Sequence, residues 1–219
     1  MNAQIIKTDF LGDWNIGIFG FSTERFCIVS SWVDDKDIGI LEELLKVPVV
    51  RINDNFAGIF IAANSNGILL PKPMEDAAEE LKEKTGCEVS VLKSRYNALG
   101  NLILSNDKGA VISKLFGKKE MEAIGACLGV PVEKGTVAKT NLPGSAAFTT
   151  NKGVMLHRDT TDEENEHIKE VLGVNSNAGT ANFGSPWVGA CMIGNSRGIA
   201  VGSKTTIHEI VRMDEIFKD

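Results

Sequence analysis

A short motif that returns at nearly constant spacing constrains this chain more than any other feature of it. The pattern is Asn-x-x-Gly followed by apolar residues. It stands as Asn64-Ser65-Asn66-Gly67-Ile68-Leu69-Leu70 and again as Asn106-Asp107-Lys108-Gly109-Ala110-Val111-Ile112. Two further copies are Thr150-Asn151-Lys152-Gly153-Val154-Met155-Leu156 and Asn195-Ser196-Arg197-Gly198-Ile199-Ala200-Val201. The glycines at 67, 109, 153 and 198 are separated by 42, 44 and 45 residues. Stepping back 42 from Gly67 lands on Arg25, within a degenerate first copy, Thr23 to Val29, that lacks the glycine. A second anchor keeps phase with the first: Lys46-Val47-Pro48-Val49, Gly86-Cys87-Glu88-Val89, Gly129-Val130-Pro131-Val132 and Gly173-Val174. Two anchors in register over this length define an internal repeat of five units.

The second copy gives the unit its structure. Ala57 to Ala63 is an apolar run of strand-forming character. Asn64 to Gly67 has the residues of a hairpin turn that needs positive φ. The returning strand, Gly67 to Leu70, ends at Pro71-Lys72-Pro73. Met74 to Lys84 spaces Met74, Ala77, Ala78 and Leu81 along one helical face, and Gly86 stops it. Glu88 to Leu92 alternates as a third strand. Elsewhere Ile40, Leu41, Leu44 and Leu45 form an apolar stripe, as do Met121, Ile124 and Leu128. Thr161-x-x-Glu164 and Thr206-x-x-Glu209 have the form of capping boxes opening the last two helices. The acids of helix four, Asp162, Glu163, Glu164, Glu166 and Glu170, read as a solvated face. The unit is strand, strand, helix, strand, with boundaries near 1–53, 54–96, 97–138, 139–182 and 183–219. A mixed unit that repeats five times and stops calls for closure into a ring, because closure removes exposed sheet edges. Helices are expected outside and strands around a central channel.

Composition narrows the function. The 219 residues are 43% hydrophobic and 24% charged, an ordinary globular profile. The net charge of −6 argues against a protein that holds nucleic acid mainly by its phosphates. No apolar run approaches the length of a membrane span, and no basic start precedes an apolar segment. Cys27, Cys87, Cys127 and Cys191 lie far apart, the pattern of reduced thiols in a cytoplasmic protein. His157 and His167 have no nearby cysteine, so no metal site is expected, and no cofactor motif is complete: Gly179-x-x-x-x-Gly184-Ser185 lacks the lysine of a phosphate loop.

Several segments carry a resemblance. Five strand-strand-helix-strand units in about this length resemble the pentein fold, an α+β ring of five blades about a pseudo-fivefold axis. Within it, Tyr96-Asn97-Ala98-Leu99-Gly100-Asn101, Gly135-Thr136-Val137-Ala138, Ala178-Gly179-Thr180-Ala181-Asn182-Phe183-Gly184-Ser185 and Asn64-to-Pro71 resemble the translation initiation factor 6 family. The resemblance spans the chain. It implies a monomeric, non-enzymatic factor that binds the joining face of the large ribosomal subunit. The expected contacts are ribosomal proteins beside the sarcin–ricin loop, with minor contact to ribosomal RNA. The bound factor excludes the small subunit and acts in late subunit maturation. The end at Asp219, just after the last helix, is similar to the archaeal members rather than the tailed eukaryotic ones. Asn101 matches the family position at the ribosome interface. Asn64, Asn106 and Asn151 join it as ribosome-binding residues, on the expectation that repeat equivalents, with Asn195, project at one level. Asn182 joins it from the Gly-Thr-Ala-Asn block. For any single turn asparagine, tolerance of left-handed φ is a sufficient explanation.

The competing chemistry comes from the same fold, whose enzymes modify guanidine groups with a Cys, a His and carboxylates. His157-Arg158-Asp159 resembles their His-x-Asp motif, and Cys191 follows. Repeat phase puts Cys191 within the first strand of unit five, as a small core residue, and no convincing set of guanidinium-binding acids accompanies it.

Overall fold

A computed structural model describes residues 3–218. Asp219, on which the expectation about the chain's end rests, lies outside them. The chain opens with β1 (Gln4–Thr8), a 3-10 turn at Ile16–Ile18, β2 (Gly20–Ser22) and β3 (Cys27–Val29). Helix α1 (Asp35–Leu45) leads to β4 (Val49–Arg51). The second unit runs α2 (Ala57–Phe60), β5 (Ala62–Ala63), β6 (Gly67–Pro71), α3 (Ala78–Thr85) and β7 (Glu88–Leu92). The third runs α4 (Leu99–Leu102), β8 (Ile103–Ser105), β9 (Ala110–Ser113), α5 (Lys118–Leu128) and β10 (Val132–Gly135). The fourth runs α6 (Pro143–Ala146), β11 (Ala147–Thr149), β12 (Gly153–His157), α7 (Asp162–Leu172) and β13 (Asn175–Gly179). The fifth has α8 (Val188–Cys191), β14 (Met192–Gly194), β15 (Gly198–Gly202) and α9 (Ile207–Phe217).

Each unit folds one three-stranded sheet in which the middle strand pairs antiparallel with the first and parallel with the third. The fifth sheet takes its third strand from the other end of the chain: β1 lies parallel to β15, with Gln4 opposite Gly198 and Thr8 opposite Gly202. Residues 4–8 therefore belong to the last sheet and not to a unit starting at residue 1. Non-covalent pairing of the two chain ends closes the ring and leaves no unit with a missing strand. The middle strands are buried at every position in β6, β9, β12 and β15, as strands covered on both sides must be. Each long helix packs between its own unit and the one before, so the apolar core is divided into five clusters, one at each seam between neighbouring units.

The run Ala57–Ala63 is not one strand. Ala57–Phe60 is a helical turn and only Ala62–Ala63 pair in the sheet. The same turn recurs in every unit, at Ile16–Ile18, α4, α6 and α8, and the five pack around the axis. A glycine in each makes this possible. A Cβ on Gly58 would lie 1.9 Å from the carbonyl oxygen of Gly17, and one on Gly100 would lie 2.1 Å from that of Gly58. Gly144, Gly189 and Gly17 repeat the contact at 1.9, 2.0 and 2.2 Å. The ring closes through backbone touching backbone. These turns narrow one end of an axial cavity whose wall, as expected, is formed by the first strands.

The repeat glycines owe their place to the same kind of constraint. Gly67, Gly109, Gly153 and Gly198 do not have positive φ. A Cβ on them would instead lie 2.1 Å from Cys127 O, 1.9 Å from Val171 O, 2.4 Å from Ile216 O and 2.6 Å from Leu44 O, each near the end of the next unit's helix. The second anchor is where left-handed backbone is found: Lys46, Gly86, Gly129 and Gly173 end the four helices with φ of 54, 65, 63 and 59°. The helix of the second unit, α3, begins later than its apolar spacing predicts, because Lys72–Ala77 is 3-10 in form with Met74 outside helical geometry and Pro73 in its first turn.

Candidate interaction face

The ring has two ends of different character. Hairpin turns and the C-termini of the long helices make one end, the turn face. The loops that follow the second and third strands of each unit make the other, the loop face.

On the turn face the repeated asparagines are joints. Asn64 is buried and donates through Nδ2 to Asn106 O at 3.1 Å and to Leu128 O at 2.8 Å. Its Oδ1 accepts from the N–H groups of Asn66 and Gly67. Asn106 repeats this with Thr150 O and Leu172 O, and Asn195 with Thr23 O and Leu45 O. Leu128, Leu172 and Leu45 are the last residues of their helices, so each amide satisfies a terminal helix carbonyl of the next unit. The structural equivalents in the other two units are Thr23 and Thr150, not Asn151. Asn151 sits one position later and binds Asp107, accepting from its N–H at 3.0 Å and donating to its carboxylate at 2.7 Å. Asn64, Asn106 and Asn195 face the seams between units.

The loop face is different. Nine large apolar side chains are exposed among the described residues: Leu11, Trp14, Trp32, Phe56, Leu115, Phe183, Trp187, Ile207 and Val211. The first seven stand in loops of this face, and all three tryptophans of the chain are among them. Ile207 opens α9 at the same end, and Val211 lies one turn further on. Phe183 is 81% exposed, held there by left-handed backbone at Asn182 and Phe183. Trp32 is fixed by a hydrogen bond from its Nε1 to Asn55, and Phe56 leans on the buried Phe19. At the hub, the residues following the five ring glycines are Ile18, Ile59, Asn101, Ser145 and Ala190, each half-buried. Asn101 alone carries an amide there, and its side chain has no hydrogen-bond partner among the described residues. Asn182, by contrast, is buried and ties the loop to the next unit through Trp14 O at 2.8 Å and Thr205 Oγ1 at 3.2 Å. Of the five asparagines expected at an interface, the structure leaves Asn101 with an uncommitted amide and commits the other four to joints. Sequence reasoning missed the aromatic loops, which lie outside the repeat, although their left-handed Gly12 and Gly184 are legible as turn residues.

Carboxylates brace these loops. Glu209, third residue of α9, accepts from Thr206 and also from Thr180 Oγ1 and the N–H groups of Phe183 and Gly184. Glu164 holds Thr136 and the Lys139 N–H in the same way. Burial pushes both carboxyls up, but the hydrogen bonds outweigh it and hold them below the usual range.

The cysteine–histidine pair has the wrong electrostatics for a nucleophile. Cys191 ends the inner turn α8, just before the strand in which it was expected, and its Sγ donates to Trp187 O at 3.3 Å. Burial pushes its thiol up to about 11. His157 is packed edge-on against Trp187, and its Nδ1 accepts the Asp159 N–H at 3.1 Å. Burial holds it below the usual imidazole value, so it is neutral near pH 7. Activation of a thiolate needs the reverse of both shifts. Among the described residues no group of three metal-ligating side chains gathers, and no helix is long and apolar enough to cross a membrane.

Comparison with known proteins agrees with this architecture. The eIF-6 family profile matches residues 5–216. Translation initiation factor 6 of Pyrococcus horikoshii is 40% identical over 221 residues, covering 97% of both chains. The proteins of that name from Thermoplasma acidophilum and Methanosarcina mazei are 35% and 36% identical, covering 97% and 91% of this chain and 99% and 92% of theirs. Among solved structures, the agmatine deiminase of C. jejuni overlaps 71% of this chain and 63% of that one, with a TM-score of 0.39 at 10% identity, too slight a likeness to bear on activity. With the family profile running nearly end to end and relatives at this identity covering almost the whole chain, the protein belongs to the eIF-6 family.

Proposed function

We propose that this protein acts in translation initiation by binding the large ribosomal subunit through its loop face and keeping the small subunit away. The observation that carries the reading is the gathering of exposed aromatics at one end of the ring, around a hub whose one amide is uncommitted. A few residues carry most of the energy of a protein interface, Trp and Tyr prominent among them, and aromatic side chains including Phe are enriched there. A body that acts by occupying space needs a rigid footprint of about 800 Å² on its side and no bond chemistry. The backbone-to-backbone hub and the braced loops supply the rigidity, and the relatives' name supplies the setting. Cytoplasmic action and a monomeric state follow from the same reading. So does the assignment of Asn101 as the contact residue, with Asn182 acting indirectly by holding its loop and Asn64, Asn106 and Asn151 by joining the units at the opposite end of the ring.

Pelleting with separated subunits tests this. Wild-type protein should cosediment with the large subunit and not with the small one. Phe183→Ala should weaken that binding by about tenfold, the effect of an interface anchor, while Glu83→Ala on an outer helix should not change it. Equal binding by both variants, or cosedimentation with the small subunit, would remove the loop face from the account.

A further inference from the structure

On the turn face, the residue just before a repeat glycine reaches across its seam to the end of the next unit's long helix. Lys108 donates through Nζ to Gly173 O at 3.2 Å, and Arg197 through Nη1 to Leu45 O at 3.2 Å. Asn66 holds the same place in unit two and donates through Nδ2 to Leu128 O at 3.0 Å. Cations suit this position, because the carbonyls at a helix C-terminus carry negative partial charge. Of the residues before the four glycines, Asn66, Lys108, Lys152 and Arg197, Asn66 alone is neutral. Asn66-Gly67 is also the chain's single Asn-Gly pair. In such a pair the glycine has no side chain to shield its nitrogen or restrict its backbone, so that nitrogen can reach the asparagine's amide carbon.

We propose that Asn66–Gly67 is a self-modification site that the closed ring holds off, and that it reacts when the seam between units two and three opens. The Gly67 backbone nitrogen attacks Asn66 Cγ. The N–Cγ bond forms, the Cγ–Nδ2 bond breaks, and Nδ2 leaves as ammonia with the proton that the Gly67 nitrogen gives up. Water then opens the cyclic imide at either carbonyl and leaves aspartate or isoaspartate at position 66. Asn66 is exposed, so water has access to it. The closed seam blocks the first step in three ways. The attacking nitrogen is engaged, its N–H donated to Asn64 Oδ1 at 3.2 Å. The leaving amide is pinned across the seam on Leu128 O. Gly67 is buried as the first residue of β6, opposite Glu88, and has no room to turn: a Cβ on it would lie 2.1 Å from Cys127 O. The product acts on the seam in return. It sets a negative charge against the C-terminus of α5, where sister units set positive ones, and it loses the hydrogen bond to Leu128 O. Isoaspartate also adds a methylene to the backbone where β6 begins. The reaction therefore loosens the joint whose opening admits it.

Peptide mapping by mass spectrometry, after incubation at mildly alkaline pH, tests this without the ribosome and so apart from the proposed function. Conversion at Asn66 should be at least about thirtyfold slower in the folded protein than in the urea-unfolded chain, the worth of two hydrogen bonds. Seams open locally at lower cost than the whole domain. Urea below the global transition should therefore already speed conversion at Asn66, while Asn175, exposed on β13, keeps its folded rate. Asn64→Ala, which frees the Gly67 N–H, should raise the rate about tenfold at Asn66 alone; the urea series on wild type decides the matter if that variant does not fold. Equal rates in folded and unfolded protein would overturn the proposal, as would conversion at Asn66 that rises only with global unfolding and in step with Asn175. Hydrogen exchange of the Gly67 N–H tests the effect of the product. Asn66→Asp should exchange about threefold faster than wild type, the effect of a misplaced charge at a helix end, and Asn66→Lys no faster. Wild-type exchange in Asn66→Asp would overturn the action of the product on the seam.

Discussion

Asparagine stands in two settings in this chain, buried at seams and half-buried with an uncommitted amide, and only the surroundings of each side chain separate them. Asn106 is buried, with two hydrogen bonds donated across a seam and two accepted from the N–H groups of its own turn. Asn106→Ala should cost about 3 kcal/mol of stability in urea unfolding, since it leaves buried carbonyls and N–H groups unpaired. Asn101→Ser should change stability by less than about 0.5 kcal/mol yet weaken large-subunit binding by about 1–3 kcal/mol, the range for a lost interface hydrogen bond. If the two variants exchanged behaviour, the assignment of roles would be wrong. Gly100→Ala belongs to a third class. Its methyl would meet two backbone oxygens at 2.1 and 2.8 Å, and backbone cannot step aside as a side chain can. In the sequence only the family resemblance sets Asn101 apart; its neighbouring residues do not. Asn64 and Asn101 look alike on paper, because seam and solvent are properties of the closed ring.

At the scale of elements, the long helices were readable because their signals are local. Apolar stripes, two capping boxes and glycine stops all act within a turn or two of the residue that carries them. The inner turns were not readable. Ala57-Gly58-Ile59-Phe60 has the apolar, branched composition of a strand, and only the pressure of four neighbours around an axis bends it into a helical turn. The loop braces have a measurable signature. Glu209 in the folded protein has a carboxyl below its ordinary value of 4.5, so the unfolded chain takes up its proton first. The brace therefore contributes its stability above about pH 4.5, and loses it as pH falls through the folded value. Glu209→Gln should destabilise the protein at pH 7 and flatten the fall of the melting temperature below pH 4.5. An unchanged acid limb would mean that the loop is held by other contacts.

Across the whole molecule, the repeat foretold five units and a ring, but not how the ring shuts. Closure uses β1, the counterpart of the third strands β4, β7, β10 and β13, which stands at the opposite end of the sequence from the unit it completes and is laid along β15. Nor did the repeat foretell that the two ends of the ring would differ. The turn face is spent on hydrogen bonds between units, whereas the loops of the other face carry the exposed tryptophans. That asymmetry comes from segments outside the repeating motif, which periodicity does not describe. It is also what makes a rigid, evenly built body capable of one specific orientation on a partner. The most direct test of the account is light scattering as separated ribosomal subunits are mixed with this protein in excess over the large subunit. The account predicts that joined ribosomes fail to form, and that Phe183→Ala restores joining at equal concentration. Normal joining in the presence of saturating, properly folded wild-type protein would contradict it.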